Sequence, residues 1–175
     1  MSPHTTSHGP QPVPALPGAV GAWTLRPAPA APVEGGLTLP APAAGTARAY
    51  TALRGGCAPA FQVEIQRVLS HPLRGCYPVG AHDLLLAVIP LAPQPEPDAV
   101  ALLDALTQAL FGADPRCRRV MAAPDVADVP ALERYTAGRF RTVAEADLHE
   151  RTVTLMVVEP PQVMEVSTAL DDMPH

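Results

Sequence analysis

A mixed sheet flanked by helices, an α/β (α+β mixed sheet) fold, is what this sequence predicts, and three features between residues 61 and 158 carry the prediction. Phe61, Val63 and Ile65 alternate with Gln62, Glu64 and Gln66, the period of a half-buried strand. Leu84 to Ile89 is an unbroken apolar run, as a strand covered on both faces requires. A helical pattern separates it from the next apolar stretch, and a strand-helix-strand crossover implies parallel neighbours.

The elements follow in order. Residues 1–21 are rich in Pro, Gly, Ser, Thr and His, too polar to offset the entropy of ordering, and read as a disordered tail. Ala22 to Pro27 forms a short first strand, and the proline-interrupted stretch after it does not support a long helix. The alternating strand from Phe61 comes next, then a turn from Arg74 to Gly80. The apolar strand spans His82 to Ile89, with Pro90 limiting its pairing. A proline-rich loop runs to Pro97, and Asp98 opens a helix with Val100, Leu103, Leu106, Leu110 and Phe111 on one face and Gly112 as its stop. A strand from Arg118 to Ala123 ends at Pro124-Asp125. Asp128 caps a helix running through Leu132, Tyr135 and Thr136 to Gly138. Thr152 to Val158 is the last strand, in a pattern that suits a hairpin partner. The chain of 175 residues thus divides into a tail, a domain over residues 22–161 and a second tail over 162–175.

Composition narrows the function. A net charge of -5 leaves no basic face for nucleic acid, and Arg116, Arg118 and Arg119 form too small a cluster to reverse that. Cys57, Cys76 and Cys117 are odd in number and widely spaced, which suits free thiols in a reducing cytoplasm rather than a metal site. No apolar run is long enough to span a membrane, and the N-terminus lacks a signal-peptide pattern, so a cytoplasmic protein without membrane partners is expected.

Three stretches resemble a known family: GAHDLLLAVI, DPRCRRVMAAPDV and GRFRTVAEADLHERTVTLMVVEPP. In order and spacing they are similar to the lysine N-acyltransferases of mycobactin assembly and the related hydroxamate-siderophore acetyltransferases, a branch of the GNAT superfamily. The likeness is most specific at PRCRRVM followed by Pro124-Asp125. Glu64 falls where that family carries a glutamate, and Gly80 and His82 match its Gly-x-His.

The resemblance implies a GNAT acyl-CoA N-acyltransferase fold in which two adjacent parallel strands splay, so that the pantetheine arm of acetyl-CoA or another acyl-CoA lies between them. Leu86, Ala87, Val88 and Ile89 would hold that arm through backbone groups, and Glu64 would face the substrate. The implied reaction is attack on the thioester by the amine or hydroxylamine of a lysine-type siderophore precursor, with siderophore-assembly enzymes as possible partners and no metal. A free lysine amine, with a pKa of about 10.4, must first lose a proton. His82, as an imidazole, suits the base and Asp125 its orienter or a substrate anchor. A strand-end histidine bonded to a backbone carbonyl is the plainer account of His82, a turn residue that of Asp125, and a solvated residue on the polar face of its strand that of Glu64.

The sequence departs from the family twice. A glycine- and arginine-rich turn normally holds the pyrophosphate of CoA at the following helix, but here Pro93, Pro95 and Pro97 lack N–H groups, and Glu96 and Asp98 add negative charge. The two helices that usually cover the acceptor have no counterpart in the proline-rich segment 27–45, so the N-terminal part of the fold is shortened. The alternative to an enzyme is therefore a catalytically degenerate GNAT-like protein acting as a binding or assembly partner.

Overall fold

The computed structural model describes residues 11–29 and 45–161, apart from positions 57 and 150. Its eight strands form one sheet in the order β1-β2-β3-β4-β5-β6-β8-β7. β1 (Ala19–Val20), β2 (Trp23–Ala28), β3 (Ala47–Arg54), β4 (Phe61–Arg67) and β5 (Leu84–Pro90) make an antiparallel meander. Helix α1 (Glu96–Ala113) crosses to β6 (Val120–Ala122), parallel to β5; α2 (Val129–Ala137) leads to the antiparallel hairpin of β7 (Arg141–Leu148) and β8 (Arg151–Val158). The mixed α/β architecture is thus the one the alternation and the crossover imply. β3 and β7 are two strands that the sequence reading leaves unplaced.

The sheet has two unlike faces. Leu84, Leu86 and Val88 point to the helices, where Leu102, Leu103, Leu106 and Leu110 of α1 are wholly buried. Truncating any of these leucines to alanine costs about 2–5 kcal/mol. The other face is covered over β7 and β8 by two short 3-10 turns, Val68–Ser70 and Pro72–Gly75, whose Val68 and Leu73 are buried against it. These turns lie mostly ahead of the turn expected from Arg74 to Gly80, and Leu73 is held there by the apolar hairpin beneath it.

The expected disordered tail includes residues 11–21, yet the described part of it is docked. Val13 is 1% exposed and Leu16 and Val20 join the core. Arg67, buried at the end of β4, donates to the carbonyls of Gln11, Pro12 and His82 and pairs with Asp114 at 2.9 Å. The segment is ordered by this guanidinium together with bonds joining Val13 to Gly45 and Arg48 and Leu16 to Tyr50, and by burial of its apolar residues. Residues 1–10 and 162–175, and most of the proline-rich segment 27–45, lie outside the described residues.

Candidate active-site cleft

β5 and β6 are joined by two register pairs alone, Leu84↔Val120 and Leu85↔Met121. β5 then continues to Pro90 while β6 stops at Ala122 and turns through Pro124-Asp125. The strands part, and a cavity of about 320 Å³ lies in the opening. Leu86 to Pro90 form one wall and Ala123 to Asp125 the other, with Ala131, Arg134 and Tyr135 of α2 on the helix side. Strand alternation puts Glu64 and Gln66 on the face opposite the core residues Val63 and Ile65, and there the same cavity meets Glu64, Gln66, His71, Leu73, Leu148 and Arg151. The cleft therefore passes through the sheet.

Tyr135 commands the opening from the helix side. Its hydroxyl accepts from Val88 N–H at 3.1 Å and donates to Leu86 C=O at 3.4 Å, the backbone groups that β5 turns toward the gap. Its ring packs edge-on against Phe140, 5.2 Å between centroids. Burial pushes its pKa up to about 12, so the hydroxyl keeps its proton at neutral pH. The sequence reading counts Tyr135 only as a residue of α2. The signal that finds it is a hydroxyl-bearing aromatic, rather than an aliphatic, on the core face of the helix that follows the splayed strand.

Two carboxylates line the cleft. Glu64, half-buried, accepts from Gln62 Nε2 at 2.6 Å, and burial raises its pKa against that bond. Asp125 follows β6, bridges to Val153 and accepts from Ala127 N–H at 2.8 Å.

His82 stands elsewhere. The parallel register places it beside position 118, seven positions before Asp125, a separation on the order of 20 Å along the strands. Its Nδ1 is 3.0 Å from Asp114 Oδ2, in the Arg67 cluster. The pairing of His82 with Asp125 expected from sequence is not formed, because the two mark opposite ends of parallel strands. Glu64, Asp125 and the Leu86–Ile89 wall do share the cleft.

The loop beyond the opening is poorly suited to a pyrophosphate. At the start of α1, the N–H groups of Asp98 and Ala99 already donate to Pro95 C=O, and Pro97 has none. Glu96 and Asp98 occupy the first turn, each beside an arginine: Arg134 lies 3.6 Å from Glu96, and Arg54 pairs with Asp98. Among the described residues, no three of His, Cys, Asp and Glu converge as a metal would require. No helix among them is long and apolar enough to cross a membrane.

The fold has relatives of known structure. It resembles an uncharacterized protein from Bacillus halodurans at TM-score 0.60 and 22% identity, over 65% of this chain and 59% of that one. The chain thus spans less than two thirds of that protein's length. It resembles the aminoglycoside acetyltransferase AAC(6')-Ib in complex with coenzyme A at TM-score 0.60 and 16% identity, over 70% of each chain. A spermidine N-acetyltransferase SpeG chimera from Vibrio cholerae and hSSAT aligns at TM-score 0.52 and 13% identity, over 70% of this chain and 72% of that one. At these identities the likeness concerns the fold. No curated protein matches the sequence significantly. Residues 36–148, more than half of the chain, match the family profile described as an acetyltransferase (GNAT) domain.

Proposed function

The chain belongs to the GNAT acetyltransferase family, and from that premise we propose that it transfers an acyl group from acetyl-CoA or another acyl-CoA to the amine or hydroxylamine of a lysine-type siderophore precursor. The observation that carries the reading is the placement of Glu64 and Asp125 on one side of the strand opening and Tyr135 on the other. Thioester and amine then meet between a proton acceptor and a proton donor. The thioester arm lies along Leu86 to Ile89 of β5, sharing with the Tyr135 hydroxyl the gap-facing backbone groups of Leu86 and Val88.

Glu64 is the base. Its raised pKa makes it a better proton acceptor than an exposed carboxylate, and Asp125 adds the negative charge that draws in a cationic amine. As the nitrogen–carbon bond forms and the carbon–sulfur bond breaks, the amine proton passes to Glu64 and the Tyr135 hydroxyl proton passes to the leaving sulfur. Both are ordinary proton transfers, each worth about 10²–10⁴ in rate. The siderophore branch rests on the PRCRRVM and Pro124-Asp125 resemblance.

A second reading is favoured by the proline loop: with few N–H donors and two carboxylates at the start of α1, CoA is held weakly, and the protein serves as a GNAT-like binding partner. Thermal unfolding of the protein titrated with acetyl-CoA and longer acyl-CoAs separates the two. A ligand at 100 times its Kd adds about 2.7 kcal/mol of stability. A clear rise in Tm with one thioester supports the transferase; no rise with any of them in a folded protein supports the binding partner.

A further inference from the structure

The acceptor side of the cleft holds two donors that the fold does not use. His71 caps the second 3-10 turn: its Nδ1 accepts from Leu73 N–H at 3.2 Å, which leaves the ring proton on Nε2. Burial and the neighbouring Arg151 pull its pKa down to about 4, so at neutral pH it is an uncharged N–H donor with no free lone pair for base chemistry. Arg151 opens β8 two residues before Val153, the residue bridged to Asp125, so strand alternation turns Arg151 to the same face as Val153. Among the described residues its guanidinium has no hydrogen-bond or ion-pair partner. Both groups line the same cavity as Glu64 and Asp125.

We propose that His71 Nε2–H and the Arg151 guanidinium form a carboxylate-binding corner, which makes the acceptor an amino acid with its carboxylate free. This rests on the transferase reading of the cleft. In the sheet order β4 and β8 stand three strand spacings apart, about 14 Å. Glu64 and Arg151 both line the cavity, and the register offsets them by about four residues along the strands as well, so an amino-acid side chain has room between them. The amine then sits at Glu64 and Asp125 while the carboxylate of the same molecule meets a planar, bidentate cation and a neutral donor. With Glu64 and Asp125 alone, a dication such as lysinamide would bind better than lysine; the corner reverses that order.

The test is calorimetric binding of L-lysine and of L-lysinamide to the full chain, wild type and Arg151→Gln, with His71→Asn as a second variant that keeps a cap for Leu73. The expected result is tighter binding of lysine by the wild type. Arg151→Gln weakens lysine by about tenfold or more, the scale of a lost charge-assisted bond, and changes lysinamide little. Equal affinity for the two ligands, or equal loss of both in Arg151→Gln, overturns the corner. Acyl-CoA binding followed on the same samples separates the two failures. Lost discrimination with acyl-CoA still bound refutes the corner alone, whereas lysine selectivity without acyl-CoA binding supports the corner and refutes the transferase.

Discussion

Replacing Tyr135 by phenylalanine separates the structural work of its hydroxyl from its chemical work. The ring stays, with its edge-on contact to Phe140, so no cavity opens. What is lost is the acceptor for Val88 N–H, and the 3.4 Å bond to Leu86 C=O is too long to add much. One buried N–H left unpaired costs about 1–3 kcal/mol, and at about 2–4 °C per kcal/mol for a chain of this size Tm falls by roughly 2–12 °C. If the hydroxyl also gives its proton to the leaving sulfur, kcat falls by about 10²–10⁴ at neutral pH, far beyond what a folded but slightly looser enzyme shows. A thiol of ordinary pKa, near ~8.5, needs that proton more than an acidic aromatic thiol does. The assay is thiol release from two acetyl thioesters, CoA and an aromatic thiol, with wild type and Tyr135→Phe. The variant should be crippled on the CoA thioester and largely restored on the aromatic one. Equal losses on both would refute the proton-donor role and leave Tyr135 as a strand clamp.

Other perturbations address the remaining groups. Glu64→Gln should lower kcat/KM by about 10²–10⁴ and erase the acidic limb of the pH–rate profile. In the wild type, that limb is shifted upward from that of a free glutamate, since burial raises the Glu64 pKa; a limb that persists in the variant assigns the base elsewhere. His71, with its folded pKa depressed from 6.5 to about 4, contributes stability that is present above pH 6.5 and lost as pH falls toward 4. Denaturant melts of His71→Asn should lack this pH dependence, matching wild type above pH 6.5, where His71 is neutral and caps Leu73, and exceeding it as pH falls toward 4. Arg67→Ala leaves Asp114 buried without its cation and frees the carbonyls of Gln11 and Pro12. A loss of about 3–5 kcal/mol is expected, with proteolytic cleavage near residues 11–16; unchanged protection there would show that the segment is held by Val13 and Leu16 instead.

Local patterns account for what the sequence made visible. The alternation in β4, the apolar run in β5, the Asp128 cap on α2 with its bond to Ala131 N–H at 3.1 Å, and the β8 stretch all follow from residues close together in the chain. The docking of Val13 and Leu16 does not, because their backbone bonds run to Gly45, Arg48 and Tyr50, and those of Gln11 and Pro12 to Arg67, more than thirty residues away. β3 and β7 are obscured because alanines, threonines and arginines weaken their alternation, and pairing with neighbours decides their state. For the site, Glu64 and Asp125 were accessible through the family resemblance, but the direction of β5 and β6 was needed to see that His82 lies at the far end. Tyr135, His71 and Arg151 enter the cleft from three separate elements. No linear spacing connects them.

Mass spectrometry of the products formed when the full chain is incubated with acetyl-CoA and L-lysine bears on the whole reading of the cleft. Acetyl-lysine together with free CoA, absent in Glu64→Gln, is the predicted result. A folded protein that forms no N-acyl product with lysine, its N6-hydroxy form or any acyl-CoA supplied would contradict it.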